Sequence, residues 1–378
     1  MRKRTAAFIM ERKVSVRRVR RRPNQYTFLS EDRKFRRRKT VRQAVLVILV
    51  LAVAVVVAFN FIISNHVRLE DVRLTVLSLP IDLENYSILH LSDLHGAVYG
   101  EHQKAFKTAL SDNRYSCVVM TGDMLGKNGD TGPLLELLAL MPRETPKYYV
   151  PGDMDGPAVE TQAHGSLEVF APWAVELQKA GVTILDRPVL ETRGKKGRIW
   201  FVPEELYALD LESMETVYAR RLEEMRARAT SLTADDAAAM RAIEYDMERL
   251  AAVREMKKEF LPTDIQIVLT HTPLSADYVD DQISWSAKEE AFSLRYASLI
   301  LAGHYNNGQW RIPFVGAVYV PELGWLPEDQ EITGLNYLHG IPQYISPGLG
   351  SDPHYERQPG RVFNPPVVTR IFLTRKAT

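Results

Sequence analysis

Short apolar runs that end abruptly in polar motifs recur through most of the chain. Tyr86–Leu91 runs into Ser92-Asp93-Leu94-His95, Cys117–Met120 into Thr121-Gly122-Asp123, and Tyr148–Val150 into Pro151-Gly152-Asp153. Ile265–Leu269 runs into Thr270-His271, and Ser298–Leu301 into Ala302-Gly303-His304. Each run has the length and apolar continuity of a strand covered on both faces. Val72–Val76 predicts an earlier strand, and 101–111, 132–141 and 166–180 read as helices between the runs. Strands alternating with helices predict a layered α/β domain. Ligands of such domains gather beyond the C-terminal ends of the strands, where all five motifs fall.

Residues 204–262 break this rhythm. Leu211, Met214, Tyr218, Leu222 and Met225 follow the spacing of one helix face, as do Met240, Ile243, Met247 and Leu250. Ser231-Leu232-Thr233 offers a turn between them, with Thr233 and Asp236 spaced as a capping box. The pattern predicts an inserted helical hairpin that packs on the body or serves as a lid, partner site or membrane contact.

A different pattern marks the N-terminal part. Ala44–Ile63 is apolar and uncharged, with Asn60 its one polar residue, and at about 1.5 Å per residue it matches a bilayer core of roughly 30 Å. It is too long for the apolar region of a signal peptide, and no A-x-A-like cleavage site follows. Residues 1–42 carry 17 Lys/Arg against three acids, whereas the whole chain has a net charge of only +1. Seven of those basic residues lie between Arg33 and Arg42. The expected arrangement is a basic cytoplasmic tail (1–42), a single transmembrane helix (43–64) and an extracytoplasmic domain (65–378). The tail's Arg-Arg pairs carry little specificity for a twin-arginine signal. The tail also has no folded nucleic-acid module and few aromatics for base stacking, so anionic lipid is the simpler partner than RNA or DNA. The single cysteine, Cys117, excludes an intrachain disulfide and reads as a buried strand residue.

The polar motifs supply carboxylates and imidazoles: Asp93, His95, Asp123, Asp153, His271 and His304. Singly, each tripeptide is common. Together, their order and spacing resemble the calcineurin-like metallophosphoesterases, whose pattern is D-x-H, G-D-x-x-D, G-N-H-D/E, a lone H, then G-H-x-H. The resemblance covers about 80–378 and is closest to a membrane-anchored bacterial branch. Gly303-His304-Tyr305-Asn306-Asn307-Gly308-Gln309 stands for that branch's G-H-T-H-G-G-Q, and Gly348-Leu349-Gly350 for its G-L-G. It implies a four-layer α/β/β/α sandwich binding two divalent metal ions, manganese foremost, with iron, zinc or magnesium also compatible. Asp93 and His95 would hold the first metal, joined by Asn306, while Asp123 would bridge. Asp153, His271 and His304 would hold the second. The implied reaction is hydrolysis of a phosphomonoester, phosphodiester or pyrophosphate by a hydroxide held between the metals.

The departures from the pattern concern both ligands and protons. Asp153 replaces the usual Asn ligand, and Asn306 the last His of G-H-x-H. Met154 stands where a His would protonate the leaving group, and Gly126 where an Asp would support that His. A thioether cannot donate a proton. Asp155 and Tyr305 are the candidates to replace it. A phosphate ester, lipid-linked by reason of the anchor, is the expected substrate, and the hairpin is the candidate protein-binding element. The alternative is a catalytically weakened chain that binds metal or phosphate as a sensor or scaffold.

Overall fold

The computed structural model describes residues 25–375 apart from 113, 162–168, 195, 229–231, 287–291, 329–330 and 353–359, with side chains from residue 35 onward. Most of the basic tail, Ser231 of the expected turn and the first residues of the expected 166–180 helix lie outside the described residues. The chain forms two units, 1–59 and 60–378. In the first, the described residues belong to one helix, α1 (Gln25–Ser64), which continues into the second unit. Its segment Phe35–Ser64 is long and apolar enough to cross a membrane.

The second unit begins with β1 (Arg68–Thr75), β2 (Ser87–Leu91), α2 (Phe106–Ala109), β3 (Cys117–Thr121), α3 (Gly132–Leu138), β4 (Lys147–Val150), α4 (Pro172–Lys179), β5 (Val182–Ile184), β6 (Val189–Arg193) and β7 (Gly197–Pro203). It continues through α5 (Leu211–Ala227), α6 (Ala234–Lys257), β8 (Ile265–Leu269), α7 (Ala276–Trp285), β9 (Ala297–Ala302), β10 (Trp310–Ile312), β11 (Gly316–Val320), β12 (Gly324–Trp325), β13 (Gly334–Leu338), β14 (Ile341–Ile345) and β15 (Val367–Thr374).

Two six-stranded sheets, ordered β1-β15-β2-β3-β4-β5 and β13-β14-β9-β8-β7-β6, face each other. Side chains alternate along each strand, so one strand feeds two cores. Ile88, Cys117, Val119, Ile265, Ile267 and Leu269 fill the space between the sheets. Leu89, Leu91, Val118 and Met120 point outward onto Phe106, Leu137 and Leu177 of α2, α3 and α4. On the outer face of the second sheet, Trp200 and Val202 meet Leu211, Leu250 and Val253 of α5 and α6, while Val268 and Ile300 meet Val279 of α7. This is the four-layer α/β/β/α sandwich. Coverage on both faces explains why these strands read as unbroken apolar runs. Cys117 is fully buried between the sheets.

The strands β2, β3, β4 and β5 are mutually parallel, as are β7, β8, β9 and β14. Their C-terminal ends therefore deliver the polar motifs to one edge.

Local details depart from the sequence pattern. The first strand is longer than Val72–Val76 and begins at Arg68, because it pairs along its full length with β15. In place of a helix over 101–111 there is a 3-10 turn, Glu101–Gln103, and the one-turn α2. His102 and Gln103 adopt left-handed φ of 49° and 55°, which interrupts helix propagation. In the insert, Thr233 caps α6 by a complete capping box with Asp236. Leu250 is fully buried beneath α6. Leu250→Ala is expected to destabilise the body by about 2–5 kcal/mol in chemical denaturation. A change below about 0.5 kcal/mol, typical of a surface site, would show that the hairpin does not belong to the fourth layer.

Candidate metal centre

Each sheet contributes loops to the site. From the first sheet, Asp93 and His95 follow β2, Asp123 follows β3 and Asp153 follows β4; from the second, His271 follows β8, and His304 and Asn306 follow β9. Their side chains form two adjacent groups. Asp93, His95 and Asp123 each place a ligand atom within 4.8 Å of the others, and so do Asp153, His271 and His304. Asp123 reaches toward both: its Oδ2 lies 4.0 Å from His95 Nε2 and 3.2 Å from His271 Nε2. His304 Nδ1 is 3.1 Å from His271 Nε2 and 3.6 Å from Asp153 Oδ2. Asn306 Nδ2 lies 3.3 Å from His95 Nε2.

The backbone is bent to achieve this. Asp93, His95, Asp123, His304 and Asn306 all hold φ between 49° and 80°. This left-handed region is sparsely used by side-chain-bearing residues, and strain of this kind concentrates at functional sites. Neighbouring positions must be bare. A Cβ on Gly122 would come within 2.5 Å of His271 Nδ1, and one on Gly152 within 2.2 Å of Asp123 Oδ1.

The hydrogen bonding leaves donor atoms aimed inward. His271 Nδ1 bonds to the Thr121 carbonyl at 2.9 Å, so this nitrogen carries the proton and Nε2 faces the cluster. Asp93 Oδ1 accepts from His304 N at 2.9 Å, but Asp93 Oδ2 and Asn306 Oδ1 are buried with no hydrogen-bond partner among the described residues. Buried lone pairs of this kind call for a positive partner. The donors are oxygen and imidazole nitrogen without thiolate, a set suited to divalent cations of the manganese, iron, zinc or magnesium kind. The residues present therefore fit the implied metals.

Burial and mutual charge set the protonation states. Burial pushes the Asp93 carboxyl up to about 7. Burial also pulls His271 down, but the hydrogen bond to Asp123 and the charges of Asp93 and Asp123 outweigh it and hold His271 at about 10. His95 is lowered to about 4, again by burial.

Asp155 is not on the cleft wall. It is buried, and its Oδ2 accepts from Asp123 N and Gly152 N, both at 2.7 Å, while Oδ1 accepts from Leu125 N at 3.0 Å. With both oxygens committed to backbone amides, it ties the β3 and β4 loops together. Tyr305 packs against the apolar cluster of Ala317, Val320 and Ile332 and is not on the cleft wall. Asp155 and Tyr305 thus both lie off the cleft wall.

The cleft over the two groups encloses about 240 Å³ and is lined by His95, Asp123, Asp153, Met154, His304, Asn306, Pro321, Glu322 and Asp352. Glu322 follows the apolar run Ala317–Val320 of β11 but belongs to no metal-ligand motif, and Asp352 follows no apolar run, so neither stood out in sequence. Loss of solvation pushes Glu322 up to about 7, with Asp352 and Asp93 adding to the shift; its outer side still meets water, which screens part of that effect. A second unmarked group is the frame behind Asn306. Arg361 is buried and donates to the carbonyls of Gly350 (2.7 Å), Pro347 (2.9 Å) and Asn364 (2.9 Å). Asn364 Nδ2 in turn donates to Asn306 O at 2.8 Å.

Residues 86–306, more than half of the chain, match the family model described as calcineurin-like phosphoesterase. The chain belongs to the calcineurin-like phosphoesterases. A relative in Bacillus subtilis (strain 168), the uncharacterized metallophosphoesterase YkoQ, is 23% identical over 310 residues, 80% of this chain and 92% of that protein. Among solved structures, phosphopantetheinyl hydrolase (PptH) from Mycobacterium tuberculosis matches with 16% identity and a TM-score of 0.33, covering 75% of this chain and 95% of that one. Membership in the calcineurin-like phosphoesterases points to a phosphoesterase hydrolase, and the two donor groups agree with its use of divalent metal ions.

Proposed function

We propose that this calcineurin-like phosphoesterase is a membrane-anchored, two-metal enzyme that hydrolyses a phosphomonoester, phosphodiester or pyrophosphate. The observation that carries the reading is the pair of adjacent donor groups with Asp123 reaching toward both. Asp93, His95 and Asn306 would hold one cation; Asp153, His271 and His304 would hold the other, with Asp123 shared. Cations there supply Lewis-acid charge, which lowers the pKa of water and offsets the charge that builds on phosphoryl oxygens. The chain's own residues then do three things. Thr121 O fixes the His271 ring. Asp155 holds the Asp123 and Asp153 loops in register. The cleft wall offers Met154, which has no proton to give, beside Glu322, whose carboxyl is the candidate donor to a leaving group. The basic tail and the apolar helix support an inside N-terminus and an extracytoplasmic body.

The test is turnover by the purified full chain supplemented with manganese, zinc or magnesium, on an aryl phosphodiester, an alkyl phosphomonoester and pyrophosphate. Metal-dependent turnover of any of them supports the reading. Tight metal binding with no turnover would favour a second reading, a metal- or phosphate-binding sensor, to which Met154 and Gly126 lend weight. Absence of bound metal would overturn the first reading and weaken the second.

Protons should compete with the metals. In the metal-free protein His271 is raised to about 10, so it is protonated at neutral pH and must lose that proton to bind. Affinity at its group is expected to strengthen by about tenfold per pH unit through roughly pH 6–9, with close to one proton released per ion. Calorimetry in two buffers of different ionisation heat measures that release. An affinity independent of pH would exclude His271 as a ligand.

A further inference from the structure

The three-stranded sheet β10-β11-β12 carries large apolar side chains into solvent at one end. Phe314 is fully exposed at the tip of the β10–β11 turn with exposed Val315 beside it; the exposed Trp325 and Leu326 lie farther back along the sheet, Trp325 paired with Tyr319. Leu326 N bonds Val318 O at 2.9 Å, which fixes it beside the middle of β11. Phe314 and Leu326 hold left-handed φ of 68° and 52°. A bulky apolar side chain held in a disfavoured conformation and packed against nothing is poorly explained by water as its only neighbour.

What covers this tip is indicated by the chain itself. The apolar segment ends at Ser64, and its last turn is tied to a segment that runs beside β10. Ser64 Oγ donates to Arg361 O at 2.9 Å, and Phe363 N donates to Asn60 Oδ1 at 2.6 Å. Residue Val362, between them, bridges to Trp310, and Arg311 N donates to Val362 O at 2.9 Å. The end of the apolar helix is thus joined to β10 through the single intervening segment 361–363. The other end of the small sheet, the β11–β12 turn, carries Pro321 and Glu322 on the cleft wall.

Resting on the anchor reading above, we propose that the Phe314–Val315 tip docks in the interfacial layer of the bilayer that takes the helix. Five residues of β11 span about 17 Å, and an interfacial apolar element sinks about 5–10 Å. A tip sunk that far leaves the cleft rim, at the other end of β11, no more than about 12 Å from the acyl boundary, within reach of phosphates in the headgroup layer. The proposal thereby deepens the functional reading: the cleft faces phosphate esters borne by lipids.

The test uses the full chain in phosphatidylcholine–phosphatidylglycerol vesicles. The native Cys117 is buried and stays unlabelled. Single added cysteines, Phe314→Cys, Val50→Cys and Leu77→Cys, carry an environment-sensitive dye. Val50 reports the helix; Leu77 is exposed and follows the far end of β1, about 26 Å from that strand's start. Quenching by doxyl-labelled lipid is expected to be several-fold stronger at 314 than at 77, and strong at 50. Quenching at 50 with none above the control at 314 would overturn the docking and leave the anchor standing. No quenching at 50 would remove both. A blue-shifted dye at 314 without lipid quenching would mean that a second copy covers the tip, which also overturns the proposal.

Discussion

Asp123→Asn is expected to lower turnover of an aryl phosphodiester by on the order of 10³-fold and to strip metal from both donor groups. Loss of one positioned electrostatic group typically costs ~10²–10³ in rate, and this carboxylate lies beside both groups. The substitution is conservative in shape. Oδ1 accepts from Met154 N at 2.8 Å, and the amide oxygen of Asn can keep that bond. The backbone at 123 stays anchored by Asp155. What disappears is the negative charge near His95 and His271. Metal analysis and kinetics on the same sample separate the outcomes. Loss of one ion with activity retained would mean that Asp123 belongs to a single group. Loss of neither would remove it from the metal centre altogether.

The strands that lead to the site were legible because they are covered on both faces and so are apolar throughout. The period-two alternation that would have marked the rest is blurred. β6 and β13 lie at the edges of the second sheet and are partly exposed, and β10–β12 form a sheet of their own. The ligand-bearing loops were legible for a related reason, since each sits directly after such a strand. Glu322 shares that placement after the apolar run Ala317–Val320 but sits in no recognisable ligand motif, and Asp352 reaches the cleft from an irregular stretch. Asp155 shows the opposite failure. Its neighbours in sequence placed it at the chemistry, but its carboxylate turns inward to satisfy three backbone amides that would otherwise be buried unpaired. The Arg361–Asn364 frame is invisible in sequence because its partners are backbone carbonyls, which any residue can provide.

Met154→His combined with Gly126→Asp is expected to raise turnover of an alkyl phosphate ester by about 10²-fold, the lower range of what a positioned proton donor contributes. Met154 lies on the cleft wall, so an imidazole there faces a bound ester. Gly126 has φ −79° and ψ −177°, an extended conformation open to any residue, and a Cβ would meet Asp130 Cβ at 3.2 Å, a contact that a small side-chain adjustment relieves. The Asp130 carboxylate is also close to that position, which favours turning the new carboxylate toward residue 154. The gain should depend on the leaving group. An alkoxide needs a proton and benefits; p-nitrophenolate and pyrophosphate leave without one and change little. A His donor also adds a descending alkaline limb to the pH profile of kcat/KM. Glu322→Gln provides the complementary measurement. If Glu322 is the donor in the natural chain, this change lowers alkyl-ester turnover there, and the double variant rescues it. An equal gain on all leaving groups would mean that the new residues act by binding phosphate. No gain at unchanged metal content would mean that protonation of the leaving group does not limit this enzyme, and that Met154 costs it little.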